Sequence, residues 1–103
     1  MNIQKLMKEA QKAQRKMAEA QERLADLSVE GSSGGGLVTV TAGGDGTVTG
    51  IKIDPSTVDP EDVDLLEDLI TAAVNEAQRK AKELQETELG DAMGGLGGLG
   101  GLF

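Results

Sequence analysis

The sequence predicts an α+β protomer of the form α-β-β-β-α, in which a small antiparallel sheet lies between two long helices and is completed by dimerisation. Apolar residues recur every three or four positions over the first 27 residues and again after residue 59, as in amphipathic helices. Between these regions, two β-branched segments flank a Gly-rich turn. The chain has 103 residues and a single aromatic one, Phe103, so we expect one small domain whose core needs a second copy.

Residues 2–27 predict the first helix. Asn2 suits the N-cap position, and the helix formers Gln, Glu, Lys, Ala and Arg fill most of the segment. The apolar residues alternate in steps of three and four, which is a heptad pattern, and we call this stripe the seam. Its members are Ile3, Leu6, Ala10, Ala13, Met17, Ala20, Leu24 and Leu27. The alanines in the seam would let a partner helix approach closely.

Residues 28–36 break the helix with the sequence SVEGSSGGG. Two interpretations fit this pattern equally well: a flexible linker, or a short Gly-rich strand at the edge of the sheet.

Residues 37–42 and 47–53 predict a β-hairpin, because both segments alternate and are rich in β-branched residues. The glycines and aspartate of residues 43–46 are strong turn formers. A four-residue loop would pair Ala42 with Thr47, Val40 with Thr49 and Val38 with Ile51. The predicted core side of this hairpin carries four residues: Val38, Val40, Ile51 and Ile53.

The second helix is predicted to begin at residues 59–62, where Asp59 caps it, Pro60 takes the first helical position and further acids follow. We expect it to run to about Leu89, where Gly90 stops it. Its predicted apolar face consists of Val63, Leu66, Leu69, Ile70, Ala73, Val74, Ala77 and Leu84.

Two regions follow from this reading: a folded domain over residues 1–89 and a flexible Gly/Leu-rich tail over residues 90–103. The tail ends in GGLGGLGGLF, and ordering so many glycines is costly. The alternative is that its leucines and Phe103 make it a weak docking segment for a partner.

Composition argues against an enzyme. The chain has no Cys and no His, so it lacks a cysteine nucleophile, thiolate metal ligands and the commonest general base. No spacing of its acids matches a calcium loop, and its Gly-rich stretches do not lead from a strand into a helix as a phosphate-binding loop does. We therefore expect no catalytic residues, metal, cofactor or small-molecule substrate. The N-terminal segment is Lys-rich and no segment has transmembrane length, so we expect a cytoplasmic protein with no membrane partner.

The charge distribution is polarised even though the formal net charge is −8. Residues 1–18 carry five basic side chains and one acid, Glu9, whereas residues 54–68 carry seven acids and no base. The basic residues of the first helix cluster opposite the seam, at about 100° per residue. They are Lys5, Lys8, Lys12, Arg15 and Lys16, with Arg23 nearby, and a second group on the other helix comprises Arg79, Lys80 and Lys82. An ordinary solvated helix face would look similar, but the first half of this helix is not charge-balanced, which favours binding to a DNA backbone.

Four segments resemble the YbaB/EbfC family of bacterial nucleoid-associated DNA-binding proteins. They are residues 6–11 (LMKEAQ), 34–41 (GGGLVTVT), 51–56 (IKIDPS) and 64–77 (DLLEDLITAAVNEA), and a Gly-rich tail ending in Phe is also similar. The resemblance covers essentially the whole chain. It implies a strand within residues 28–36, a homodimer with helices projecting like tweezers, and duplex DNA as partner.

The resemblance further implies that binding alters DNA conformation, in the nucleoid, with effects on nucleoid organisation and gene expression. It places the DNA-contacting surface on the basic residues named above. An alternative function is a dimeric helical adaptor that binds another protein through its acidic segment or its C-terminal tail, and the net negative charge favours that alternative.

Overall fold

The computed structural model describes residues 2–94, with side chains through residue 90. Its elements in chain order are α1 (Ile3–Asp26), β1 (Ser28–Ser33), β2 (Val38–Gly43), β3 (Val48–Ile53), a short 3-10 helix (Pro55–Thr57) and α2 (Val63–Gly94). The predicted α+β class and the α-β-β-β-α order are therefore confirmed. The molecule is elongated, with extents of 70 × 24 × 16 Å.

Helix α1 follows the sequence prediction closely. The Oδ1 atom of Asn2 accepts a hydrogen bond from the backbone N–H of Lys5 at 3.3 Å, so Asn2 is the N-cap. Burial is confined to the second half of the helix, where Ala20 and Leu24 are covered. Residues 2–12, which we call the arm, are all exposed.

The three strands form one antiparallel sheet in the order β1-β2-β3. Residues 28–33 are a strand, so the linker interpretation of residues 28–36 was wrong. The turn that follows contains Gly34, Gly35 and Gly36, with φ angles of 59°, 69° and 100°. These left-handed backbone angles explain why three glycines stand in a row there.

The predicted register of the hairpin was wrong. Ala42 pairs with Val48, Val40 with Ile51 and Val38 with Ile53, and a bulge lies next to Thr41 and Ala42. Relative to a regular four-residue loop, the pairing is displaced by one residue at the loop itself, and the extra residue, Thr49, displaces the pairing beyond it by one more.

The inner side of the sheet keeps its predicted members, because Ile51 and Ile53 lie opposite Val40 and Val38. Val38 and Val40 are fully buried, and Ile53 packs against the core that they form. Ile51 remains 48% exposed, since α2 packs on β1 and β2 and leaves β3 uncovered.

The sheet and α2 approach each other closely at Gly31 in β1. A Cβ atom built on Gly31 would lie 2.3 Å from both the carbonyl oxygen of Ala73 and the amide nitrogen of Ala77. Both alanines are fully buried. The hydroxyl of Ser33 adds a hydrogen bond of 2.6 Å to the carbonyl oxygen of Leu69. Helix α2 therefore lies with its backbone almost against the strand.

Both predicted ends of α2 were wrong. Asp59 does not cap the helix; its carboxylate accepts from the N–H of Glu61 at 2.9 Å and closes a local turn, and the helix begins at Val63. At the other end, the helix continues through Gly90 to Gly94. One helical glycine costs only about 1 kcal/mol relative to alanine, which the helix tolerates. The rest of the predicted flexible tail, residues 95–103, lies outside the described residues.

We predict that Gly31→Ala destabilises the fold by about 2 kcal/mol or more, because the new methyl group overpacks against α2 backbone. The matched control is Gly50→Ala in β3, where an added Cβ atom has no neighbour within 4 Å. The control should leave the free energy of unfolding within about 0.5 kcal/mol of the parent. Urea denaturation followed by circular dichroism measures both, and equal effects of the two substitutions would contradict the close approach of α2 to β1.

Candidate nucleic-acid interface

The direction of the arm is fixed by contacts at the other end of α1. Gly44, in the turn between β2 and β3, packs so closely on the helix that a Cβ atom there would lie 2.4 Å from the carbonyl oxygen of Leu24. The N–H of Gly44 donates to the carbonyl oxygen of Leu27 at 2.8 Å, and its carbonyl accepts from Nε2 of Gln85 at 2.9 Å. One turn residue thus holds α1 and α2 together.

Helices α1 and α2 run antiparallel where they touch. The Nε atom of Arg23 lies 3.2 Å from Oε2 of Glu88, which sets the two helices in register. At 1.5 Å per residue, Gly94 then reaches roughly the level of Met17. The end of the arm lies roughly 22 Å beyond that point, and the arm is bare on all sides in the described chain.

The arm and the turn of α1 that follows it carry most of the predicted basic surface. We call its five cations, Lys5, Lys8, Lys12, Arg15 and Lys16, the basic row. The first four are exposed and Lys16 is half-buried. The row occupies the side of α1 that faces away from α2 and the seam.

Within the described side chains, no carboxylate neutralises the charges of the basic row. Among residues whose side chains the structure describes, none of its members has a carboxylate within 4 Å; the three ion pairs found there all involve other cations. A row of mostly exposed cations with this spacing along one helix can contact successive phosphates of a nucleic acid backbone.

The remaining predicted site residues are placed differently. Arg23 is engaged with Glu88, Arg79 with Glu83 at 2.6 Å, and Lys80 with Glu76 at 3.1 Å. The ammonium of Lys80 also donates to the carbonyl oxygen of Glu30 at 2.8 Å. Lys82 is exposed.

The structure does not bring the two predicted basic groups together. Lys80 lies 14 residues before Gly94 in α2, or roughly 20 Å along the axis from the level that the basic row reaches. The cations of α2 are therefore a separate group beside β1.

The acidic segment, residues 54–68, lies at the opposite end of the molecule from the arm. It comprises the 3-10 helix, the turn at Asp59 and the first turns of α2. One of its acids, Asp54, accepts a hydrogen bond from the backbone N–H of Ser56, which lowers the pKa of this carboxyl below its ordinary value. The segment is thus an anionic surface, and the molecule carries opposite charge at its two ends.

A shallow groove of about 390 Å³ lies where α1, α2 and the hairpin turn meet. It is lined by Gln21, Leu24, Asp45, Gln85 and Leu89. Its single carboxylate, that of Asp45, accepts from the N–H of Thr47 at 3.0 Å, which lowers the pKa of that group. The groove therefore offers no pair of groups for acid–base chemistry. Within the described residues there is also no cluster of three or more potential metal ligands.

Comparison with known proteins agrees with this geometry. A family model described as the YbaB/EbfC DNA-binding family matches residues 1–96. The chain belongs to the YbaB/EbfC DNA-binding family. This confirms the family resemblance noted in the sequence, and the family is a DNA-binding family rather than a family of enzymes.

Relatives of this YbaB/EbfC member are close in sequence and length. A nucleoid-associated protein of Acetivibrio thermocellus is 54% identical over 99% of this chain and 90% of its own. One from Anaeromyxobacter is 51% identical over 93% of each chain, and one from Saccharopolyspora erythraea is 49% identical over 92% of this chain and 82% of its own.

The fold is shared with a solved structure of an uncharacterized Helicobacter pylori protein. The two superpose with a TM-score of 0.75 at 23% identity, over 84% of this chain and 91% of the other. In the described part of the present chain, neither helix is both long and apolar enough to cross a membrane.

Sequence reasoning missed the residues that position the arm. Gly44 was recognised as a turn residue, but nothing in the local pattern reveals its contact with Leu24, which lies in a different element. Glu88 likewise gave no signal of its pairing with Arg23, 65 residues away.

We predict different effects for two cations of α1. Lys12→Gln should weaken duplex binding about fivefold to tenfold near 0.1 M salt, since one phosphate contact is lost. Arg23→Gln should change the affinity by less than about twofold and lower the free energy of unfolding by at most about 1 kcal/mol, because its exposed ion pair joins the two helices. Fluorescence anisotropy with a labelled duplex and urea denaturation measure the two quantities. Equal losses of affinity in both variants would contradict this division of roles.

Proposed function

We propose that this protein binds duplex DNA with little sequence specificity through the basic row of α1, and that binding alters the conformation of the DNA. Its role is then in nucleoid organisation and in the regulation of gene expression, located at the nucleoid and without catalysis. The observation that carries the proposal is the basic row on a projecting helix: four of its five cations are exposed, and none lies within 4 Å of a carboxylate whose side chain the structure describes. Membership of a DNA-binding family and the similarity to nucleoid-associated proteins of other bacteria support it.

Duplex backbone is the expected target, and the composition supports this choice. Single-strand binders stack bases on aromatic side chains, and the chain has one aromatic residue, Phe103. Contacts from lysines to phosphates carry little sequence information, so they favour sequence-tolerant binding. The acidic end, which phosphates repel, favours approach of the DNA to the arm.

We further propose that the functional unit is a homodimer. Large apolar side chains remain exposed on β3, after the 3-10 helix and at the start of α2. They are Val48, Ile51, Val58, Val63 and Leu65. A second copy that covers them would also present the basic row twice, which strengthens binding to a duplex through effective concentration.

The homodimer can be tested at Ile51, which lies on the inner side of β3, where α2 leaves the strand uncovered. We expect Ile51→Glu to shift the protein from dimer to monomer at micromolar concentration, because a charge would have to be buried in the interface. Lys52→Glu, on the outer side of the same strand, is the matched control and should stay dimeric. Light scattering coupled to size exclusion gives the mass, and a monomeric parent protein would refute the dimer.

The decisive test of DNA binding is charge reversal within the basic row. The triple variant K8E/K12E/R15E should lose duplex binding while keeping its fold, because these side chains point away from α2. A control with the same change in net charge, K52E/R79E/K82E, should retain most of the affinity. Gel-shift titrations measure both variants. If the first triple binds as well as the parent, the assignment of the surface to α1 is wrong.

Salt dependence provides the second readout of the same titrations. Each phosphate contact releases condensed counterions, so the affinity of the parent should fall with a log–log slope of about −0.9 per contact. Duplexes of random sequence should bind nearly as well as any chosen site.

The competing function is a dimeric adaptor that binds another protein through residues 54–68 or the C-terminal tail. The net charge of −8 is the observation that favours it. It predicts no binding to DNA even at low salt, so the parent titration separates the two functions.

A further inference from the structure

Within the part of the chain that the structure describes, one side of the arm is apolar and uncovered. Ile3, Leu6 and Met7 are 68%, 49% and 57% exposed, and Ala10 beside them is also exposed. The first three are large apolar side chains within five residues of one helix. Such a concentration at the end of a projecting helix marks an interaction site more often than isolated exposed residues do.

The apolar side and the basic row lie on opposite faces of the arm. At about 100° per residue, Ile3 and Ala10 point roughly 180° away from Lys5, Lys8 and Lys12. An occupant of the apolar side therefore leaves the cations free for DNA. The seam and the basic row can be used at the same time.

The seam of the arm is complementary to itself in the antiparallel direction. From the N-terminal end its residues are large, large, small and small: Ile3, Leu6 and Ala10 are exposed, and Ala13, just after the arm, is half-buried. If two arms cross near residue 8, Ile3 faces the partner's Ala13 and Leu6 faces the partner's Ala10. Large side chains then meet small ones in every layer. A parallel pair would set leucine against leucine and leave gaps between alanines.

We propose that the arms of two dimers pair antiparallel through this seam, and that DNA promotes the pairing; this rests on the proposed function. By itself the contact is weak, because it buries only a few large side chains on each side. The basic rows also repel each other in free protein. When phosphates neutralise them, the repulsion falls and neighbouring dimers become linked, so that binding along a duplex is cooperative.

The C-terminal segment is the competing occupant. Residues 95–103 follow the end of α2 and contain three leucines and Phe103, but five of the nine residues are glycine. Fixing this segment on a helix surface costs about 1–2 kcal/mol per residue in backbone entropy, which exceeds what a few half-buried leucines return. A second arm is already rigid and has no such cost, which favours the second copy.

The pairing can be measured without DNA, because salt screens the repulsion between the basic rows. At 1 M salt the screening length is about 3 Å. Sedimentation velocity at increasing protein concentration should then show dimers associating further, whereas at low salt they should not. An absence of association in the parent at high salt overturns the proposal, whatever the DNA titrations show.

Exchange of a large and a small seam residue tests whether the two arms pair in the antiparallel direction. L6A removes the large member of a layer, and A10L sets two leucines against each other. Each should weaken the association about tenfold. The double variant L6A/A10L restores one large and one small residue in each of these layers and should recover to within about threefold of the parent.

Two controls distinguish association through the seam from unspecific hydrophobic association. Q11L adds a leucine beside the seam and should leave the association unchanged. A chain ending at Gly94 should also associate as the parent does. Stronger association of A10L indicates parallel or unspecific contact, and a changed association of the shortened chain indicates that the tail occupies the seam. Either result overturns the proposal.

The consequence for DNA is tested on two duplex lengths. On a duplex of about 15 base pairs, roughly 50 Å long, the parent and L6A should bind with similar affinity, because one dimer fills it. On about 60 base pairs, the parent should bind with a Hill coefficient clearly above 1, and L6A with one near 1. If the parent binds neither duplex, the proposed function fails while the sedimentation result stands; if L6A remains cooperative, the link between pairing and DNA fails.

Discussion

The rest of the molecule depends on the close approach of α2 to β1 at Gly31. Because this residue has no side chain, the backbone of α2 lies directly on the strand, and its buried face consists of small residues such as Ala73 and Ala77. That position sets where the later turns of α2 lie, including Gln85 and Glu88. Those two residues in turn hold the hairpin turn and α1. The direction of the arm is thus decided by a contact on β1, an outer strand of the sheet.

The sequence predicts the elements well and their limits poorly. Helical periodicity and β-branched alternation identify both helices and the hairpin, since these patterns reflect which side of each element is buried. The ends depend on small energy differences instead. Gly90 costs α2 too little to stop it, and Asp59 closes a turn of its own with Glu61 rather than capping the helix. The hairpin register already differs by one residue at the loop, where Ala42 pairs with Val48, and the bulged residue Thr49 adds a second; neither step is visible in an alternating pattern.

The sequence predicts those features of the candidate site that depend on residues close together in the chain. The basic row follows from the charge of residues 1–18 and from helical geometry alone. The pairs Arg79–Glu83 and Glu76–Lys80 are also readable, since residues four apart on a helix are neighbours. The pair of Arg23 with Glu88 is not, because 65 residues separate them and only the packed fold brings them together. The sequence does not reveal that the basic row of α1 and the cations of α2 lie far apart along the axis of α2.

The bond from Lys80 to the carbonyl oxygen of Glu30 has a consequence for how the sheet is bounded. β1 is an outer strand, and unpaired carbonyls along such a strand are templates for adding another chain. A charged side chain from the overlying helix occupies one of these acceptors, so growth of the sheet on this side would first have to displace it. β3, the other outer strand, has no cover from α2. Strand addition is therefore favoured at β3 over β1, and a sheet extended by two-fold symmetry through β3 would end on both sides at a β1 edge where Lys80 already occupies an acceptor.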